Sequence, residues 1–596
     1  GEIRARLPEA QATPILECAT LHLRMVPLEE VQGRRLADIY GAIVACWHFL
    51  QEFDGASPKI QVFNPDLEVH GWQSTHTVIA ILQRNMPFVV DSVRMVLNRL
   101  ELKVFGIQHA VYHVRRDAGG RLLHCGESRA AAYPEPGELL LFIEIDRHGD
   151  AADRQAVQDQ INRVLEEVCI AVDDYAAMKE RLVRLAEDLA NAIPGQDDAD
   201  IAEVREFLRW LGEDHFTFLG CDEYTSSGGA EPCLRLVPDS ELGILRGRAE
   251  TLPRPLHAGS VAPASRRQTE TVELIVFSKA ADRSRVHRPA YPDCIAVRRF
   301  DTRGEVTRES RFIGLYTARV YQERPERIPL VRRKVQQVLE SSGFSPRDYA
   351  GKEIDQILAV YPRDELFQTP ASTLLETVLG ILYVQERRRI RLFVREDGHG
   401  PFVNALVFVP RELYSTDLRL AITALLVEAT GAIDVDFTTY FSESVLARTQ
   451  FSLRIPLEGR RRLNVAALES KIIAAAQSWH EGVVEALNEA FGEELANTYS
   501  LLYANAFSAS YRERFAPRRA VADIGHIAAL TAAAPLSMSF YRALEESDSL
   551  LHFKLFRLDA QVPLSDVLPL FENLGLRVIG EHRYQARDRN GRITWI

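Results

Sequence analysis

The chain is poor in the features that announce chemistry. Its seven cysteines (Cys18, Cys46, Cys125, Cys169, Cys221, Cys233 and Cys294) are scattered along 596 residues without a C-x-x-C pair. An odd count in a long chain reads as reduced, mostly buried thiols, so disulfides are not expected. Long hydrophobic runs are missing too. No stretch approaches the ~20 apolar residues of a membrane span and no signal-peptide core opens the chain, which predicts a cytoplasmic protein without membrane contact. The chain opens at Gly1 rather than methionine, as a processed piece or a segment of something longer does.

Nucleotide and catalytic fingerprints are absent as well. There is no G-x-G-x-x-G after a strand, no G-x-x-x-x-G-K-[ST], no H-E-x-x-H and no G-x-S-x-G. No catalytic residue, cofactor or metal is therefore expected in this segment. Low-complexity tracts are lacking, and 46% hydrophobic with 26% charged residues describes an ordinary globular chain. The formal net charge of −12 opposes attraction to nucleic acid. The basic run "RRRIR" reads as a solvated lead-in to a strand.

What is present is repetition of a mixed unit. "HTVIAIL" (His76 to Leu82) is short and β-branched. Val89, Val93, Val96, Leu97 and Leu100 then recur on one helical face, starting near Pro87, with Asn85 placed to cap. "LKVFGIQHAVYHV" (Leu102 to Val114) alternates until Gly119-Gly120 forces a turn, and "ELLLFIEI" (Glu138 to Ile145) supplies a third strand. A second helix follows through Val157, Ile161, Val164, Leu165 and Val168. This predicts a small α/β sandwich with its helices on one face. "NLGLRVIGEHRYQARDRNGR" sets Leu574, Leu576, Val578 and Gly580 against Leu100, Leu102, Val104 and Gly106, after a helical run and the strand-like "HFKLF". A looser copy runs through "RIRLFV", "FVNALVFV", a helix from Leu418 to Ala429, "IDVDFTTYF" and "TQFSLRI".

Between the copies, residues up to about Phe53 read as helices, followed by a Pro/Gly/Asp-rich join. "IPGQDDADIAE" marks a boundary, after which "EVREFLRWL", "HFTFLGCDEY", an "SSGG" turn, a Pro/Ala/Arg-rich loop (Thr251 to Arg267), "VELIVFSKA", "CIAVRRFD" and "SRFIGLYTARVY" predict an antiparallel sheet. Two helical blocks separate the modules, the second running through "FYRALEESDSL". At about 150 residues per domain this is an α+β multidomain chain.

Candidate sites are few. His109 and His113 fall four apart on a strand, ~13 Å along one face, which is too far to share a metal. The pairs His124-Cys125, His215 with Cys221 and His287 with Cys294 lack zinc spacing. Glu213, Asp214 and His215 offer either an acid/base set or a helix end turning into a strand. Arg285, His287 and Arg288 offer an anion loop or a charged surface. The strongest candidate is the loop of Asn85, Met86, Pro87, Phe88, Asp91 and Ser92, where a strand turns at once into a helix and so presents free amides to a small ligand's carboxylate.

"MPFVVDSVRMVLNR", "HFTFLGCDEY", "HRPAYPDCIAVRRFD", "YPRDELFQ", "QERRRIRLFVRED" and "SESVLARTQF" together resemble, in order, the N-terminal half of the large bacterial NAD-specific glutamate dehydrogenases. The resemblance implies ACT-like (ferredoxin-like) βαβ modules, a PAS-like domain and helical connectors. It divides the chain into an N-terminal helical segment (1–69), a first ACT-like module (70–172), a helical linker (173–200), a PAS-like domain (201–323), a helical connector (324–386), a second module (387–457), a helical block (458–548) and a truncated third module (549–596). It further implies a parent enzyme that deaminates L-glutamate oxidatively to 2-oxoglutarate with NAD, as a homo-oligomer open to amino-acid effectors, with its own C-terminal catalytic domain as the segment's partner. A self-standing amino-acid sensor acting through a separate protein is the alternative. Ligand-binding ACT loops often read D-x-P-G-[LV]. Here Phe88 stands where that glycine would be, and "QVPLSD" lacks it also, so the modules are expected to be spacers that build interfaces.

Overall fold

The computed structural model describes all residues except 1, 25, 27, 28, 30–32, 127–136, 190–196, 227–233, 247–272, 302–305, 385, 386, 388, 399, 442, 443, 457–461, 477, 478 and 543–550. The "SSGG" turn, the Thr251-to-Arg267 loop, Cys233 and the end of "FYRALEESDSL" lie wholly or largely outside the described residues. The chain forms two compact units. One comprises residues 1–384, 395–404 and 454–457, and the other 385–394, 405–453 and 458–596.

The first module is a five-stranded sheet in the order Lys59–Phe63, Thr77–Arg84, Glu138–Ile145, Val104–Arg116, Leu122–Gly126, antiparallel throughout. The helices Val89–Arg99 and Ala151–Asp173 cover one face, burying Ile79, Ile81, Leu141 and Ile143 against Val93, Leu97, Ile161 and Leu165. Each such side chain removed from water is worth about 1.5–3 kcal/mol. The alternate residues Val78, Ala80, Leu82, Leu140 and Phe142 pack instead with Cys18, Cys46, Leu50 and Trp72. These belong to, or follow, the helices Glu9–Leu23 and Leu36–Leu50.

The sheet is thus covered on both sides, and the stretches Val78 to Leu82 and Leu139 to Ile143 are apolar without interruption because neither face meets water. Helices on one face only was therefore half of the arrangement. The other correction is Lys59–Phe63, which lies in the Pro/Gly/Asp-rich join and forms an edge strand. Its alternation is too short to read alone, and the register with Thr77–Arg84 stabilises it.

This edge strand makes the topology unusual. In a β-α-β-β-α-β unit the outer strand beside the first comes last in the chain, whereas here it comes before the unit begins. The second module repeats this arrangement, with strands Arg391–Glu396, Phe402–Pro410, Leu446–Arg454 and Asp434–Phe441 in spatial order and helices Thr416–Thr430 and Val465–Ala476. The third does so again, with Leu536–Tyr541, His552–Leu558, Ile593–Trp595 and Gln585–Arg587 and one helix, Leu564–Asn573. Leu536–Tyr541 is thus a strand and not part of the second helical block. The L-x-L-x-V-x-G match is corrected too: in the first module it leads into the strand from Val104, while Leu574 to Gly580 form no strand.

One face of the third sheet packs Phe556, Leu558 and Ala586 on the helical block, with Val483, Tyr503, Tyr511 and Ile524. On the other, Phe553 meets Phe571 of the single helix, and the edge strand leaves Met538 59% and Phe540 57% exposed. In the first module the corresponding strand is sealed. There Ile60 and Val62 join the core beneath the second helix, and the Val62 N–H donates to Gln158 Oε1 at 3.3 Å.

Between the first two modules along the chain, residues 216–316 contribute a six-stranded antiparallel sheet. Its main order is Leu234–Leu236, Phe216–Ser226, Val306–Tyr316, Asp293–Phe300 and Ile275–Lys279, with Leu242–Gly243 paired to Phe216–Ser226. The helices Val331–Ser341, Tyr349–Ala359, Arg363–Gln368 and Ala371–Val384 follow it.

Candidate functional site

The strand Thr77–Arg84 ends at a loop whose first amide, on Asn85, donates to the Gly137 carbonyl at 2.9 Å. The helix begins at Val89, two residues later than the proline suggested. Its N-cap is Phe88 at φ 73°, with no side-chain cap, so Asn85 does not cap it. A phenylalanine in the left-handed region is held there by its surroundings, since the conformation itself costs on the order of 1–3 kcal/mol.

Those surroundings come from the loop "SRVHRPA". Val286 is buried with Val89, Val93 and Leu97. His287, itself at φ 72°, places its ring 4.8 Å from that of Phe88 and donates its backbone N–H to Ser92 Oγ at 3.1 Å. Ser284 Oγ donates to the Val286 carbonyl at 2.7 Å and accepts from the Val286 N–H, which stiffens the loop. Burial lowers the His287 pKa and Arg288 lowers it further, while Asp91 opposes them.

Of the six loop residues, then, Phe88 and Ser92 touch His287 directly. Asp91 acts on the imidazole through its charge. Met86 and Phe88 pack at the border of the first core, and Asn85 and Pro87 shape the turn. Arg285 and Arg288 are committed to protein: Arg285 to Glu167 at 3.3 Å, Arg288 to the Tyr316 carbonyl at 2.9 Å.

The acid/base set does not converge. His215 is buried, stacked on Trp210 with centroids 4.2 Å apart, and its Nδ1 lies 2.7 Å from the Trp210 carbonyl oxygen. Asp214 sits at φ 63° in the helix-to-strand turn and points outward, 3.8 Å from Lys179. His109 and His113 lie on one strand. Among the described residues no three His, Cys, Asp or Glu side chains gather closely enough to hold a metal ion.

A constellation that spacing does not reveal lies at the other end of the same loop. Lys279 Nζ donates to Asp293 Oδ1 and to Asp364 Oδ2, each at 2.9 Å, and Tyr321 donates to Asp364 Oδ1 at 3.2 Å. Burial favours neutral Lys279, yet the two carboxylates outweigh it and hold the ammonium charged. Burial pushes Asp293 up to about 6 against the pull of Lys279, whereas for Asp364 the charge and hydrogen bond of Lys279 and the Tyr321 hydroxyl overcome burial and lower the pKa. The cluster ties two strand ends to the helix Arg363–Gln368. Its only sequence trace was that Asp293 and Asp364 fall inside two of the motifs that carried the family resemblance.

Family models match five stretches of the chain. Residues 18–161 match the glutamate dehydrogenase ACT1 domain, 391–480 the ACT2 domain and 535–596 the ACT3 domain. Residues 328–387 and 486–530 match helical motifs 1 and 2 of glutamate dehydrogenase. The NAD-specific glutamate dehydrogenase of Halomonas elongata is 45% identical over 600 residues, covering 100% of this chain and 37% of the relative. That of Pseudomonas aeruginosa is 43% identical over 96% of the chain and 35% of the relative. That of Mycobacterium tuberculosis is 27% identical over 85% and 31%. The chain spans about a third of the length of the curated relatives it matches. Three ACT domains and two helical motifs in this order, with that identity along the whole chain, place it in the NAD-specific glutamate dehydrogenase family.

Proposed function

We propose that this segment regulates and assembles an NAD-dependent glutamate dehydrogenase, and that the oxidative deamination of L-glutamate to 2-oxoglutarate takes place on another part of the polypeptide, the segment's C-terminal catalytic domain. The reading rests on one observation above all. The loop after the first strand of the first ACT domain, where an amino-acid effector would meet helix amides, is filled by Phe88 and covered by His287. In this reading the first module is a closed joint, its loop committed to the neighbouring antiparallel sheet, and the parent enzyme works in the cytoplasm as a homo-oligomer. The segment alone binds no NAD and turns over no glutamate.

Calorimetry with NAD and an assay with glutamate and NAD test this directly, since saturable NAD binding by the 596-residue chain would overturn it. The loop is tested by Phe88→Gly and Asp91→Ala. If an amino acid binds there, opening the loop tightens binding and removing the carboxylate weakens it. Unchanged affinity in both variants removes the loop as an effector site and leaves the joint.

A further inference from the structure

The sheet face covered by the N-terminal helices contains a cavity of about 370 Å³, bounded by the helix Leu36–Leu50, the edge strand Lys59–Phe63 and the short helix Leu67–His70. That volume lies within the range of about 300–1,000 Å³ typical of small-ligand sites. Pleating explains the lining. Ile60 and Val62 turn to the opposite core, so Lys59, Gln61 and Phe63 turn to this one, facing Cys46, His48 and Phe49 of the helix and His70 of the short helix. Buried Cys46, Ala80, Leu140 and Phe142 make an apolar inner wall. His48 and Gln61, both exposed, stand at the rim.

Two hydrogen-bond donors, Lys59 and His70, stand in the lining. Lys59 Nζ donates to the carbonyls of Phe49 at 2.8 Å and Glu52 at 2.9 Å, which uses two of the ammonium's three N–H groups. His70 Nδ1 accepts the Asp66 N–H at 3.1 Å, so in the neutral ring the proton sits on Nε2 and that nitrogen is a donor. The His70 ring is held against Phe63, centroids 4.8 Å apart. No carboxylate stands among the described lining residues. A metal ion is not the occupant to expect, because Cys46, His48 and His70 do not gather closely enough to hold one. Donors at the rim over an apolar wall suit an anion carried on an apolar body, and they offer an ammonium group no acidic partner.

We propose that this cavity binds a small monocarboxylate with an apolar body, the carboxylate held by the remaining N–H of Lys59 and the body lying on Phe142, Leu140 and Ala80. The site is separate from the Phe88 loop and stands whether or not that loop takes an effector.

The test is calorimetry on the 596-residue chain with 3-phenylpropionate as probe and 3-phenylpropylamine as its charge-reversed counterpart. The expected result is saturable one-to-one binding of the carboxylate, at least tenfold tighter than the amine. Lys59→Met should weaken it at least tenfold. Because Lys59 also holds two helix carbonyls, Gln61→Trp on the exposed rim provides a second variant that narrows the mouth without touching those bonds, and it too should weaken binding at least tenfold at an unchanged melting temperature. No saturable binding of the carboxylate up to millimolar concentration, equal binding of the amine, or full affinity in Gln61→Trp would each overturn the proposal.

Discussion

The phenyl ring of Phe88 rests on the imidazole of His287, centroids 4.8 Å apart, and both residues hold a left-handed backbone, at φ 73° and 72°. Two side chains from separate sheets, each in a conformation that suits glycine, meet at a helix N-terminus. Such strain persists only where packing repays it.

Phe88→Gly and Phe88→Ala both delete the ring, but only glycine relieves the backbone. The glycine variant should therefore be the more stable of the two by about 1 kcal/mol, read from urea denaturation of matched samples. An alanine variant as stable as the glycine one would show that the positive φ carries no strain.

Lys279 lies between Asp293 and Asp364, all three largely buried. Lys279→Met leaves two carboxylates facing each other and should cost on the order of 3–5 kcal/mol. Neutralising the pair in Lys279→Met/Asp293→Asn/Asp364→Asn should recover most of that loss. Hydrogen exchange of the strand Asp293–Phe300 provides the local measure, and a triple variant as weak as the single one would mean that packing rather than charge sets the cost.

His22 is buried beside Cys46 and Phe142, and desolvation lowers its pKa from 6.5 to about 4. Its folded pKa is depressed, so the unfolded chain takes the proton first. The stability His22 contributes is whole above pH 6.5 and is lost as pH falls through 4, by up to about 3 kcal/mol. Asp222, which burial raises to about 6, works in the opposite sense, since the native state binds its proton more tightly and stability from this group falls as pH rises between about 4 and 6. Comparing His22→Phe with the parent isolates the first effect. The variant should lose less stability on acidification from pH 6.5 to 4, and identical acid profiles would contradict the assignment.

The third module leaves Met538 and Phe540 bare where the first module has Ile60 and Val62 sealed. Amides from His552 onward should exchange faster than those of Thr77–Arg84 and Glu138–Ile145 in dilute solution, and should slow as concentration rises and copies cover one another's apolar surface. Strong protection independent of concentration would show the module to be complete as it stands.

The parts legible in the sequence were those with a strong local period. The helices through Val93 and Leu97 and through Ile161 and Leu165, and the strands at Ile79 and Leu141, each carry their own alternation. The edge strands Lys59–Phe63 and Leu536–Tyr541 were missed because five or six residues beside proline and glycine, or after a helix, have no period of their own and exist by pairing. The match of Leu574 to Gly580 with Leu100 to Gly106 misled for the complementary reason: a similar pattern yields a strand only where a neighbour offers its hydrogen bonds. Asn85, Phe88 and Ser92 could be singled out from one turn, but the partner that covers the loop, His287, is nearly two hundred positions away, and no spacing rule connects them.

Because each module begins with its outer strand, its last strand is a keystone that slides between two strands already in place. In the first module, Lys59–Phe63 with Thr77–Arg84 and Val104–Arg116 with Leu122–Gly126 can each zip as local pairs while the chain emerges, and nothing joins the two ribbons until Glu138–Ile145 arrives between them. In the third module that duty falls to the strand Ile593–Trp595, which pairs with both His552–Leu558 and Gln585–Arg587 and is continued by the reciprocal backbone bonds of Ile596 with Tyr584. That strand closes a sheet whose first strand, Leu536–Tyr541, lies more than fifty positions earlier, so the two outer ribbons of the module stay separate until it arrives.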